Sequence, residues 1–181
     1  MLIKMYFSFR NDGEGAYDIS ALMNGAMSGL VGVTAGCATI DPAGAVVVGV
    51  VGGILYLGAS NLLLQLRIDD AIDGVPIHAV AGIWGLLSTG LLSTPDALLQ
   101  AYGSSNHVGL LYSMIHNGTI DATLFVNQII GICFICTVVC VTMTPFFLTL
   151  KYFNCFRVDA VRRSLVWMQR VCMHRKRMPL I

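Results

Sequence analysis

The sequence predicts an all-α fold, a polytopic membrane bundle of about four transmembrane helices, and three observations carry that expectation. Of the 181 residues, 56% are hydrophobic and only 12% charged, whereas a soluble domain carries about 25% charged residues. Four stretches free of lysine, arginine, aspartate and glutamate run roughly over 22–40, 45–66, 74–92 and 123–150. Each is about as long as the 20 mostly apolar residues that one helix needs to cross a bilayer. The lysines and arginines all fall in segments that four spans would place on one side. The chain therefore divides into an N-terminal tail (1–20), a transmembrane domain (21–150) and a basic tail (151–181).

The opening block MLIKMYFSF is too short for the apolar core of a signal peptide, and no small-residue cleavage site follows it. In the first span glycines stand at 25, 29, 32 and 36, a spacing that leaves one helix face bare and lets a neighbouring backbone approach in lipid. Asp41-Pro42-Ala43-Gly44 reads as a tight turn into the second span, where Gly49, Gly52 and Gly53 extend the same packing pattern. Arg67 to Asp73 is a short polar connection, with Asp73 expected as the N-cap of the third span and Pro76 in its first turn. The connection from Ser93 to Ala122 is rich in Ser, Gly, Asn and His, and a short surface helix is expected over 108–115. Pro145 near the end of the fourth span predicts a kink there.

Positively charged residues accumulate in cytoplasmic segments. All 11 lysines and arginines lie in the two tails or at Arg67, so both termini are expected in the cytoplasm. The sequon Asn117-Gly118-Thr119 then falls in the long outer loop, which makes Asn117 a candidate glycosylation site.

The third span carries the informative residue. His78 stands on an otherwise uncharged helix, and an ionisable group inside a membrane is a functional candidate. Gly82, Gly85 and Thr89 follow at i+4, i+7 and i+11, so His78 heads a small-residue face that borders either a narrow space or a close neighbour. The structural alternative is a histidine hydrogen-bonded between helices. Desolvation favours neutral imidazole, with one donor and one acceptor, which suits a small polar molecule better than an ion. Asp73 lies five residues before His78, on a different face, and does not pair with it.

Other features point to no chemistry of their own. Cys133, Cys136 and Cys140 share a helical face but suit lipid as small apolar residues. Cys172 and His174 are too few for zinc, and no metal site or cofactor is expected. His107 and His116 are expected to face water in the outer loop. The basic tail, with Val161, Leu165, Val166 and Val171 interleaved, has the pattern of an amphipathic helix on anionic lipid; nucleic acid is a poor partner for a segment tethered to a membrane bundle. No phosphate-binding loop and no convergent acid, base and nucleophile set is present, so an enzyme is not expected.

The stretch Asn24 to Leu92, with its GLVGVTAGC segment, the paired acidic residues before the histidine helix and the HxxxGxxG pattern of His78, Gly82 and Gly85, resembles the later transmembrane helices of the ammonium transporter (Amt/Mep) family. The resemblance runs more weakly to Arg157-Val158-Asp159. It implies an eleven-helix protomer built from inverted repeats, a homotrimer with one pore in each subunit, and a hydrophobic pore holding two histidines. By motif position His78 resembles the second of these, and Asp73 the acidic residue that supports the helix start, with Gly82 and Gly85 in the same pattern. In the family, ammonium is recruited outside and loses a proton before neutral amine passes the histidines.

Three departures accompany the match. The first histidine, the aromatic gate and the recruitment site of the family belong mostly to helices this sequence lacks. Ala79 stands where glycine often follows the histidine, and the tail reads RRSLVWMQRVCMHRKRMPLI in place of the usual acidic, histidine-glycine ending. The expected function is ammonium or ammonia transport by the C-terminal part of a channel or transporter in the plasma membrane, incomplete alone and assembled as a homotrimer or with a chain supplying the first half. The alternative is a non-transporting membrane protein that associates with full-length transporters.

Overall fold

The computed structural model describes residues 19–118, 120–153, 164, 165 and 168. Most of both tails, with the readings attached to them, lies outside the described residues, as does Thr119 of the sequon. Among the described residues the fold is all helical, without strands.

Helix α1 is Ile19–Thr34. Its end corrects the expected first span of 22–40: residues 35–40 form turns in which the Thr39 and Ile40 amides both donate to the Gly36 carbonyl. The 16 described residues of α1 rise about 24 Å, short of the roughly 30 Å hydrocarbon core. Helix α2, Pro42–Gln65, begins where the sequence reads a turn: Asp41 caps it by accepting from the Gly44 amide, and Pro42 takes a position whose missing N–H costs nothing. Helix α3, Val75–Leu92, has a π-helical first part, Val75–Val80, and continues as an α-helix over Ala81–Leu92. Helices α2 and α3, together with the last helix, are three helices long and apolar enough to cross a membrane.

The long connection holds more structure than the sequence suggests. Helix α4, Pro95–Tyr102, starts with Pro95 and Asp96 in its first turn and stops at Gly103, whose φ of 71° is a left-handed conformation that glycine adopts without strain. Helix α5, Leu110–Tyr112, runs into a single π-helical turn, Ser113–Asn117, close to the expected surface helix. Helix α6, Thr123–Tyr152, continues through Pro145. Proline removes one rung of the ladder there, and the Thr149 hydroxyl donates to the Pro145 carbonyl one turn on.

Glycine decides how α1, α2 and α3 meet. A Cβ on Gly29 would stand 3.2 Å from the Gly49 carbonyl oxygen, and one on Gly85 would stand 2.6 Å from the Gly32 carbonyl oxygen. The helices thus touch backbone to backbone, the contact by which small residues hold helices together in lipid. Polar side chains reinforce it: Ser28 Oγ donates to the Gly52 carbonyl at 2.9 Å and Trp84 Nε1 to the Val48 carbonyl at 3.0 Å. Helix α6 reaches this module through α3 alone in any extended way. Gly90 lies so close to the Phe125 backbone that a Cβ would come within 2.8 Å of it.

Candidate functional site

At one end of the three-helix module, a single carboxylate ties all three helices together. Asp73 Oδ2 accepts from Asn24 Nδ2 on α1 at 3.3 Å and from the Tyr56 hydroxyl on α2 at 3.0 Å, while Oδ1 accepts from Ser60 Oγ at 3.1 Å. Tyr56 and Ser60 are one turn apart on α2, so both hydroxyls face the same point, and Tyr56 is only 1% exposed. Asp73 itself sits at φ 57°, a left-handed backbone that aspartate tolerates better than most residues. This conformation turns its side chain back across the bundle.

The capping role expected for Asp73 falls to another residue. Asp70 Oδ1 accepts from the Gly74 amide at 2.9 Å and Oδ2 from the Val75 amide at 2.8 Å. The two aspartates therefore divide the work: Asp70 satisfies free N–H groups at the start of α3, and Asp73 locks that start to α1 and α2. Sequence reasoning missed Asn24, Tyr56 and Ser60; it placed Asp70 with Asp69 and Asp73 at the start of the histidine helix, near its free N–H groups, but gave the cap to Asp73. The signal that was available is the presence of Asn24 and the Tyr56–Ser60 pair on otherwise apolar helices.

His78 lies one turn into α3, on its π-helical part, and is exposed; its ring makes no hydrogen bond among the described residues. The small-residue face expected to run from it is split. Gly82 has nothing within 4 Å of a notional Cβ, whereas Gly85 is pressed against Gly32, and Thr89 is buried with its hydroxyl donating to the Gly85 carbonyl. A π-turn takes in more residues than an α-turn, so counting 100° per residue from His78 loses register before Gly85. His78 and Gly82 thus stand beside open space, and Gly85 and Thr89 stand in the packed seam.

At the opposite end of the module, a cavity of about 470 Å³ is lined by Cys37, Asp41, Asp96, Gln100 and Tyr112 among others, and it reaches neither His78 nor Asp73. Nearby, His107 Nδ1 pairs with Asp121 Oδ2 at 3.0 Å, and Tyr112 stacks on His116 with ring centres 4.2 Å apart. The Asp121 carboxyl is held down at about 2, first by the His107 hydrogen bond and then by those from Thr123. Asn117 ends the π-helical turn before Gly118, with Thr119 of its sequon outside the described residues. Cys133, Cys136 and Cys140 are free and exposed on α6.

Comparison with known proteins adds to this geometry. The model of the Ammonium Transporter Family matches residues 1–165. The chain belongs to the ammonium transporter family. Ammonium transporter 3 of Dictyostelium discoideum is 35% identical over 156 residues, covering 81% of this chain and 32% of the relative. A putative ammonium transporter of Synechocystis is 39% identical over 93 residues, covering 51% of this chain and 21% of the relative. Putative ammonium transporter 1 member 5 of Arabidopsis thaliana is 31% identical over 146 residues, with 81% and 29% covered. The chain spans about a third or less of the length of these curated relatives. No solved structure matches it. Family membership and the apolar helices make this an integral membrane protein of the ammonium transporter family.

Proposed function

We propose that the chain is the C-terminal part of an ammonium channel or transporter and that His78 lines the path taken by ammonia. The observation that carries this reading is the setting of His78 within a family member: an unbonded, exposed imidazole on an otherwise uncharged membrane helix, beside the open face at Gly82. A polar ring in that position is costly unless it faces a partner or a water-accessible path. Neutral imidazole offers one donor and one acceptor to a small molecule. A low-dielectric path also favours loss of a proton from ammonium, since desolvation disfavours the charged form. Asp73, Asn24, Tyr56 and Ser60 play no part in recognition on this reading; they fix the start of α3 and so the position of His78, with Gly85 holding the helix against α1.

The open face at His78 is closed by a first half of the fold, supplied by another chain or by sequence joined to this one, within a homotrimer. Both termini are cytoplasmic, as the one-sided distribution of lysine and arginine supports, and the membrane proposed is the plasma membrane. The chemistry is passage, not catalysis.

Expression in cells lacking ammonium uptake tests the proposal. The chain alone is expected to give no methylammonium uptake, while fusion to a matching first half from a relative restores it. His78→Ala in the fusion is expected to change rate or selectivity, and unaltered uptake would sink the assignment of His78. Co-purification with a full-length relative, without any contribution to uptake in the fusion, would favour a non-transporting interaction protein instead.

A further inference from the structure

One glycine of α3 has no packing contact to explain it. A glycine inside a helix costs stability relative to alanine, and several here are explained by a neighbour: a Cβ on Gly29, Gly52 or Gly85 would meet the backbone of the facing helix at 3.2, 3.3 or 2.6 Å. Gly82 has no such neighbour, although it is half-buried; no described atom lies within 4 Å of its notional Cβ. Gly58 and Gly131 are open in the same way, but neither stands one turn from an ionisable side chain, as Gly82 does from His78. The direction of the open space follows from the α-helical part of α3, Ala81–Leu92, in which each residue advances by about 100°. Gly85 points at Gly32 of α1, and Gly90 at Phe125 of α6. Measured from Gly85, Gly82 lies about 60° around the axis and Gly90 about 140° in the same sense. Gly82 therefore faces the cleft between α1 and α6, which α6 leaves unfilled at this level.

A helical Cα–Cβ bond tilts toward the N-terminus, so a side chain covers the turn before its own Cα. For position 82 that turn carries His78. The His78 ring itself stays more than 4 Å from the notional Cβ, which leaves the space between them free. We propose that Gly82 sets the width of the path beside His78 and so discriminates amines by bulk, letting ammonia and methylamine pass the imidazole because position 82 carries no side chain. The inference rests on the proposed path along His78 and adds the residue that limits its size. It also separates two glycines that share one motif: Gly85 is required where α3 meets α1, and Gly82 is required where nothing meets α3.

The experiment uses the full chain fused to a first half and measures uptake of both ammonium and methylammonium. Gly82→Ala is expected to lower the ratio of methylammonium to ammonium uptake about tenfold, the least that one added methyl is worth in a confined pocket, and Gly82→Val is expected to lower it further. A ratio that both variants leave unchanged would overturn the inference, while a changed uptake in His78→Ala would leave the reading of His78 standing. A falling ratio beside an inert His78→Ala would keep Gly82 as the limiter and remove only the imidazole. Two readouts that need no transport separate path width from packing. Gly82→Ala is expected to melt no lower than its parent, in the chain alone and in the fusion, because a methyl meets no neighbour and alanine restricts the unfolded chain. A lower melting temperature confined to the fusion would show that the first half packs on Gly82, against the inference. Gly82→Cys in the fusion is expected to take up one more adduct than its parent from a small water-soluble methanethiosulfonate, since a thiol in apolar surroundings is inert. No added adduct would place position 82 in protein or lipid, and the inference would fall.

Discussion

Helices α1, α2 and α3 meet backbone to backbone and share a polar lock at Asp73, whereas α6, the longest helix, has no buried residue. From Cys133 to Thr149 every residue of α6 is exposed, including Phe134 and Val141, each at 68%. The difference separates two ways of being stable in a membrane. The three-helix module is held by its own close packing and hydrogen bonds, the interactions that remain when lipid removes the hydrophobic advantage of helix contact. Helix α6 touches the module near Gly90 and otherwise presents apolar side chains that suit lipid or another polypeptide. The open face at His78 and the bare length of α6 belong to the same third or so of a family protomer.

The largest expected effect tests the polar lock. Asp73→Ala removes the acceptor for three donors, leaves the Tyr56 hydroxyl in a buried site, and puts alanine at φ 57°. Together these are expected to cost about 3–4 kcal/mol of stability, from unsatisfied donors and left-handed strain. Asp70→Ala removes only a helix cap and is expected to cost about 1 kcal/mol. Unfolding of the purified chain in mild detergent compares the two, and equal losses would show that Asp73 does no more than cap.

Next in size is a contrast between the module and α6. Gly85→Ala would place a methyl 2.6 Å from the Gly32 carbonyl oxygen, an overpacking at rigid backbone expected to cost about 2–3 kcal/mol. Phe134→Ala, on the bare length of α6, is expected to stay within about 0.5 kcal/mol for the chain alone. A stable Gly85→Ala chain would show that α1 and α3 are not in close contact. A loss at Phe134 that emerges only when a first half is joined would show that the joined helices cover α6.

The glycine seam was legible in the sequence because helical spacing of small residues needs no knowledge of what lies around the bundle. The same spacing failed at His78, where a π-helical turn over Val75–Val80 shifts the register between the histidine and the α-helical residues that follow, Gly85 among them. Helix α4 was missed although Pro95, Asp96 and Gly103 are its stop and start signals; its eight residues are too few to show a hydrophobic period. The exchange of roles between Asp70 and Asp73 depends on one positive φ at Asp73, which no residue pattern announces. Helix α1 was expected to run to residue 40 because residues 35–40 are as apolar and uncharged as the helix itself.

The smallest expected effect concerns the entry to α6. Asp121 stands two residues before that helix; it bonds His107 across the loop, and its carboxylate accepts from the Thr123 amide at 3.0 Å. These bonds favour the ionised carboxylate, the His107 bond most of all, and lower its value from 3.8 to about 2. Because the folded value lies below the unfolded one, the clip contributes fully above pH 3.8 and is lost as the pH falls through about 2. Acid between those limits should loosen the loop from the start of α6. Carboxyl carbon resonances of the chain in micelles follow the titration directly. His107→Ala is expected to move the Asp121 midpoint upward, towards 3.8, with the Thr123 bonds retaining part of the depression. A midpoint that stays at about 2 in that variant would assign the whole depression to Thr123 and remove His107 from the clip.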